Sequence, residues 1–365
     1  MENRVKQIHA LGQSIWLDFI DRKIMDSGEL QKLIEEDGIR GVTSNPAIFA
    51  KAISSSADYD QDIARLAQEG KSNDDIFYGV AVKDIQRAAD LFREVYQEEE
   101  VRGADGYVSL EVLPRLARDT EGTTKQALEL WKAVQRGNVM IKIPGTKEGL
   151  PAIRECISEG LNINVTLLFG LDRYEAVAEA YIAGLEQRVA EGKPVEYVSS
   201  VASFFLSRID LAVDPLLEEK GLDELKGEVA IACAKEAYQI YKRVFSTERW
   251  KKLEEEGAKP QRLLWASTGS KDPAFSDVKY VEALIGKNTV DTLPMDTLVA
   301  FRDHGHAAST LEQDLDKAKT TLAQIKTAGI DLDKISRQLE EEGIAKFTQP
   351  YNQMLEAIEK QKQKS

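Results

Sequence analysis

Short apolar runs alternate along this chain with long amphipathic stretches, the pattern left by strand–helix units that feed a parallel sheet. Eight runs read as strands, at residues 14–20, 41–45, 106–112, 139–143, 162–168, 197–203, 262–267 and 289–293. Eight parallel strands with helices between them favour closure into a (β/α)8 TIM barrel over an open sheet, because a closed sheet leaves no exposed edge.

The amphipathic stretches are longer than a minimal barrel needs. From 75 to 100, Phe77, Ala81, Ile85, Ala88, Phe92 and Val95 recur at steps of three and four, which puts them on one helix face. The spacing predicts a largely helical excursion over 45–103 and another over 208–260. Three more helical segments are expected after the eighth strand, at 311–328, 332–342 and 350–360, and the polar tail after them should fray. No fixed-period repeat and no Pro- or Gly/Ser-rich linker divides the chain, so 1–365 is expected to form one domain.

Hydrophobic residues make up 42% of the 365 residues and recur in segments, enough for a large core. The formal charge of −14 has no basic stripe to offset it, which argues against nucleic acid and anionic lipid as partners. A few focused cations can still hold a small anion in a cleft. Cys156 and Cys233 are the only cysteines; far apart and in helical contexts, they read as reduced thiols of a reducing compartment. The first residues lack the apolar core of a signal sequence and no apolar run is long enough to span a bilayer. A soluble, cytoplasmic protein is expected, with monomer and homodimer both left open.

Lys142 stands inside the apolar run Val-Met-Ile-Lys-Ile-Pro. Its head either reaches water along its own stem or stays in the core as an amine, and a buried amine that sheds its proton attacks carbonyl carbon. Taken alone, a solvated strand-end lysine is the plainer account. The other strands change the balance, because catalytic groups of such barrels gather at the C-terminal strand ends. Asp18, Asn45, Glu111, Asn164, Thr166, Ser203 and Ser267 lie at or near those ends, with Arg208 and Lys271 just beyond. Each alone is more simply a helix cap, above all Asn45, which precedes Pro46. Together they form a ring of acid, carboxylate and neutral hydrogen-bonding groups around one lysine.

The stretches Gly-Val-Thr-Ser-Asn-Pro-Ala-Ile-Phe (41–49), Ser-Leu-Glu-Val (109–112), Ile-Lys-Ile-Pro-Gly-Thr (141–146), Asn-Ile-Asn-Val-Thr-Leu-Leu-Phe (162–169) and Trp-Ala-Ser-Thr (265–268) resemble the transaldolase family. The resemblance runs in order from about residue 10 to the C-terminal region. It implies a Schiff-base enzyme that moves dihydroxyacetone from sedoheptulose 7-phosphate to glyceraldehyde 3-phosphate, giving erythrose 4-phosphate and fructose 6-phosphate in the pentose phosphate pathway. The length fits the full transaldolases and exceeds the short fructose-6-phosphate aldolases. By resemblance, Lys142 is the Schiff-base lysine, Asp18 the acid/base, and Glu111 with Thr166 the holder of a catalytic water. Asn45, Asn164 and Ser203 match groups that hold the dihydroxyacetone portion, and Arg208 with Ser267 match the phosphate site. Sugar phosphates are then the partners, and neither metal nor organic cofactor is needed. One departure is visible: many members carry arginine two residues after the strand-seven serine, where this chain has Gly269, and Lys271 is the candidate replacement.

Other signals carry less. His304-Gly-His306 lacks companions for a metal set, Gly70-Lys-Ser lacks the first glycine of a P-loop, and no G-x-G-x-x-G occurs. The charged stretches 94–102 and 251–257 read as solvated helix surfaces, and the four tryptophans as core. Two alternatives stay in view: an aldolase that releases dihydroxyacetone, and a sugar-phosphate-binding barrel without catalysis.

Overall fold

The computed structural model describes residues 3–98 and 104–362. Among them, eight parallel strands close into a barrel in chain order: β1 (Gln13–Leu17), β2 (Gly41–Val42), β3 (Tyr107–Glu111), β4 (Val139–Pro144), β5 (Ile163–Leu168), β6 (Ser200–Phe205), β7 (Arg262–Ala266) and β8 (Thr289–Leu293). β1 closes the ring on β8 through five successive parallel partners, Gln13 with Thr289 to Leu17 with Leu293. The register puts Glu111 beside Lys142, and Lys142 beside Asn164, so three functional candidates share one level.

Gly41 shows how the interior is filled. A Cβ there would come within 2.7 Å of the Trp16 ring and 2.8 Å of the Tyr107 carbonyl oxygen. Glycine is the residue that lets the buried indole occupy the space. At the opposite end from the candidate site, Asp105 accepts from Ser14 (2.7 Å) and the Trp16 indole (3.2 Å) and pairs with Arg262 (2.9 Å). Burial alone would push its carboxyl up, yet Arg262, Ser14 and Arg40 hold it below the usual range.

Only β8 keeps its expected bounds; most other strands shift by a residue at an end, and three differ by more. β2 has only Gly41 and Val42, because Asn45 already caps the helix Pro46–Ser55. β1 stops at Leu17, so Asp18 stands just past it. β6 begins at Ser200, with Tyr197 left 69% exposed before it. The helices Pro46–Ser55, Asp60–Gln68, Asn73–Leu91 and Arg93–Gln97 lie between β2 and β3; residues 99–103 of the expected excursion, and of the charged stretch there, fall outside the described residues.

The C-terminal region departs most. The segments expected at 332–342 and 350–360 are one helix, Leu332–Lys362, which runs through Pro350. Leu339, Gly343, Phe347, Tyr351, Met354 and Ile358 form its buried stripe and hold it across the proline. Arg173 donates to both the Gly145 carbonyl beyond β4 and Glu340 of this helix, each at 2.7 Å, which ties the helix to the barrel rim. Lys360 to Lys362 of the tail are helical, and 363–365 lie outside the described residues. Trp16, Trp250 and Trp265 are fully buried, and both cysteines are buried and free. No helix among the described residues is long and apolar enough to cross a membrane.

Candidate active site

Lys142 sits inside β4 at 4% exposure, and its Nζ donates to the Ser44 carbonyl at 3.1 Å. Glu111 Oε2 lies 3.6 Å away. On its open side the ammonium sits 5.8 Å from the centre of the Phe347 ring, which the C-terminal helix brings over the barrel mouth. Neither oxygen of Glu111 has a hydrogen-bond partner among the described residues, and neither does Thr166 Oγ1. Burial raises Glu111 to about 7, with Lys142 working against the rise and Asp18 adding to it. At neutral pH this carboxyl can therefore give or take a proton.

Asp18 Oδ1 accepts from Thr43 Oγ1 at 2.7 Å, and Thr43 Oγ1 lies 2.7 Å from Thr292 Oγ1, which is left to act as the donor in that contact. Burial raises the Asp18 carboxyl, while Lys142, Thr43, Arg208 and Lys271 pull it back down. Asn164 is held at both ends of its amide: its nitrogen donates to Ser109 Oγ (3.0 Å) and its oxygen accepts from Ser203 Oγ (2.7 Å). Asn45 Oδ1 accepts from the Ile48 N–H at 3.0 Å, so the capping account of this residue holds, while its amide nitrogen makes no hydrogen bond among the described residues.

A cavity of about 190 Å³ joins most of these groups. Asp18, Asn45, Lys142, Ser203, Arg208, Ser267 and Lys271 line it; Glu111, Asn164 and Thr166 do not, and lie in the layer around Lys142. Arg208 stands between two rings, 5.3 Å from the centre of Phe205 and 6.0 Å from that of Phe347. Its Nη1 is buried without a hydrogen-bond partner among the described residues, and burial holds the guanidinium below its ordinary range. A desolvated guanidinium with an unused donor, facing a cavity, is equipped to take an anion.

The family described as transaldolase/fructose-6-phosphate aldolase matches residues 15–358. The chain belongs to that family. A transaldolase of Trichodesmium erythraeum is 48% identical over 375 residues, covering 99% of this chain and 98% of its own length. One from Saccharopolyspora erythraea is 48% identical, with 98% of each chain covered. One from Thermobifida fusca is 44% identical, with 99% of each covered.

The structure of this family member also places groups that the sequence reading passed over. Thr43 and Thr292 line the cavity and fix Asp18, and their signal was available: Thr43 is two residues from Gly41 and Thr292 lies near the end of its strand. Phe205 shares the strand parity of Ser203. Phe347 falls between two segments that the sequence separates, and nothing local marks it. At the departure point, a Cβ on Gly269 would lie 4.0 Å from Lys271 Nζ. His304 has its ring nitrogens against Asp277 and Asp303 on the surface.

Proposed function

We propose that this protein is a transaldolase that works through a Schiff base on Lys142. The observation that carries the reading is one buried amine, faced by two carboxyl groups of raised pKa, at a cavity that also holds an unsatisfied guanidinium. A pure binding barrel has no use for the first two.

Lys142 Nζ adds to the C2 carbonyl of a ketose phosphate and water departs, leaving an iminium. Asp18 accepts the C4 hydroxyl proton as the C3–C4 bond breaks, and the electron pair flows to the iminium nitrogen to give an enamine. The raised Asp18 carboxyl favours receiving that proton. Glu111 and Thr166 hold the water that enters and leaves; their buried oxygens, without hydrogen-bond partners among the described residues, support this, since buried polar atoms normally find partners. Asn45 and Ser203, backed by Asn164, take the hydroxyls of the dihydroxyacetone unit. Arg208, Ser267 and Lys271 hold the phosphate. The amides beside the enamine are not acids, which favours its survival until an acceptor aldehyde arrives. We further assign the whole chain to one domain, because the C-terminal helix supplies Phe347 to the cavity. We place the protein in the cytoplasm, in keeping with its two free buried thiols.

Borohydride added with fructose 6-phosphate should fix a reduced three-carbon unit on the peptide that contains Lys142. An adduct on another lysine, or none while turnover proceeds, removes the assignment. Donor cleavage that depends on an acceptor aldehyde distinguishes transfer from simple aldolase release.

A further inference from the structure

On the barrel flank, separate from every residue that lines the active cavity, lies a larger cavity of about 570 Å³. It opens between the helix Val229–Val244, the segment 274–283 and the start of the helix Leu315–Thr327. Lys226, Lys235, Lys279 and Lys317 line it together with Glu228, Glu282 and Asp314, a gathering of four cations on a chain of net charge −14.

The four lysines are not equivalent. Lys226 is paired with Glu218 (2.9 Å) and Asp223 (3.0 Å), and Lys317 with Glu228 (2.7 Å). Lys235 is 7% exposed and has no ion pair among the described residues; it donates to the carbonyls of Thr310 (3.2 Å) and Gln313 (2.6 Å). An ammonium has three donors, so one is left over. Lys279 has no ion pair among the described residues either and rests 3.7 Å from the centre of the Phe275 ring. A buried cation that no carboxylate touches directly is costly, and burial holds Lys235 below its ordinary range, with Lys317 adding to the fall and Asp314 and Glu228 opposing it from a distance.

We propose that this flank cavity binds the phosphate end of a small phosphorylated metabolite, with Lys235 and Lys279 as its anion contacts. The volume falls within the roughly 300–1,000 Å³ of small-molecule sites and exceeds what a bare phosphate fills. Ile231, Ala274 and Ala318 offer an apolar wall for the remainder.

Inorganic pyrophosphate is a suitable probe, titrated calorimetrically into the full chain. Arg208→Ala with Lys271→Ala removes both cations of the active-cavity anion site, and that double variant should still bind one pyrophosphate. Adding Lys235→Met and Lys279→Gln should abolish the remaining binding, while the same two changes alone leave turnover of fructose 6-phosphate unaltered. Lys279→Gln by itself touches no backbone carbonyl, so it tests the site without disturbing the fold; it should weaken binding about tenfold, the size of one charge-assisted hydrogen bond. An Arg208→Ala/Lys271→Ala protein that binds no pyrophosphate, or the addition of Lys279→Gln to it with unchanged affinity, overturns the proposal.

Discussion

Glu111 is the residue whose state most depends on its neighbours. Its carboxyl stands at about 7, raised by burial against the pull of Lys142. In the unfolded chain it titrates near 4.5, so between those values the folded protein holds a proton that the unfolded chain has lost. Stability linked to this group is therefore full below pH 4.5 and is lost as pH rises to about 7. At about 1.4 kcal/mol per pH unit, the loss is on the order of 3 kcal/mol. Glu111→Gln, which cannot ionise, should not show it. Urea midpoints of both proteins between pH 4.5 and 8 test the point: the wild type should lose ground to the variant across that window and run parallel above it. A difference that stays flat would mean that Glu111 is ionised throughout. The candidate itself was legible because Glu111 stands at a strand end in a set of such groups around Lys142 and within the motif Ser-Leu-Glu-Val (109–112). Its raised pKa was not, since that comes from burial inside the closed barrel and from Asp18, against the pull of Lys142, none of which a local stretch displays.

The elements that sequence displayed well are those whose period and punctuation agree. All eight strands show as short apolar runs, and their ends mark where the candidate site residues stand. The C-terminal helix was misread because a proline normally ends a helix, through its missing N–H and its ring. Here the carbonyl that loses its partner is that of Lys346, an exposed residue, while the buried stripe from Leu339 to Ile358 continues on the other face. Tertiary burial outweighs the local penalty. The same helix touches the site through Gly343: a Cβ there would fall 2.8 Å from Leu167 Cδ2 and 3.6 Å from Arg208 Nη1. Leu167 is 1% exposed and has a φ of 60°, at the irregularity where β5 shifts register against β6, so it has little room to yield. Alanine in a helix interior is ordinarily worth about 1 kcal/mol over glycine. Gly343→Ala should nevertheless lower the thermal midpoint and raise the Michaelis constant for fructose 6-phosphate. A rise in midpoint by the propensity increment would show that the Leu167 contact is slack.

For the molecule as a whole, a chain of charge −14 must hold an anionic substrate, so attraction has to come from a few cations gathered at one mouth. The sequence showed which cations lie beyond strands six and seven. It could not show whether they converge, because that depends on barrel closure and on the path of the 267–280 segment. In the structure Arg208 and Lys271 both line the cavity, and Lys271 Nζ lies 4.0 Å from where a side chain at 269 would begin. Lysine and arginine are not interchangeable at a phosphate, since one is a point charge and the other a planar fork. Proximity of the two starting points nevertheless makes a relocation experiment feasible. Lys271→Ala should raise the Michaelis constant for fructose 6-phosphate about tenfold or more, the scale of one charged hydrogen bond, and leave that for unphosphorylated fructose unchanged. Gly269 has an ordinary φ, and its closest neighbour to a new Cβ is Thr297 Oγ1 at 3.2 Å, so a side chain there requires only a small adjustment. Gly269→Arg in the Lys271→Ala background should then restore most of the lost affinity for the phosphorylated donor. Restoration would mean that position 271 supplies the charge that the family resemblance leads one to expect at 269. Equal losses on both donors, or no recovery with arginine at 269, would mean that Lys271 serves the loop and that Arg208 and Ser267 carry the phosphate unaided.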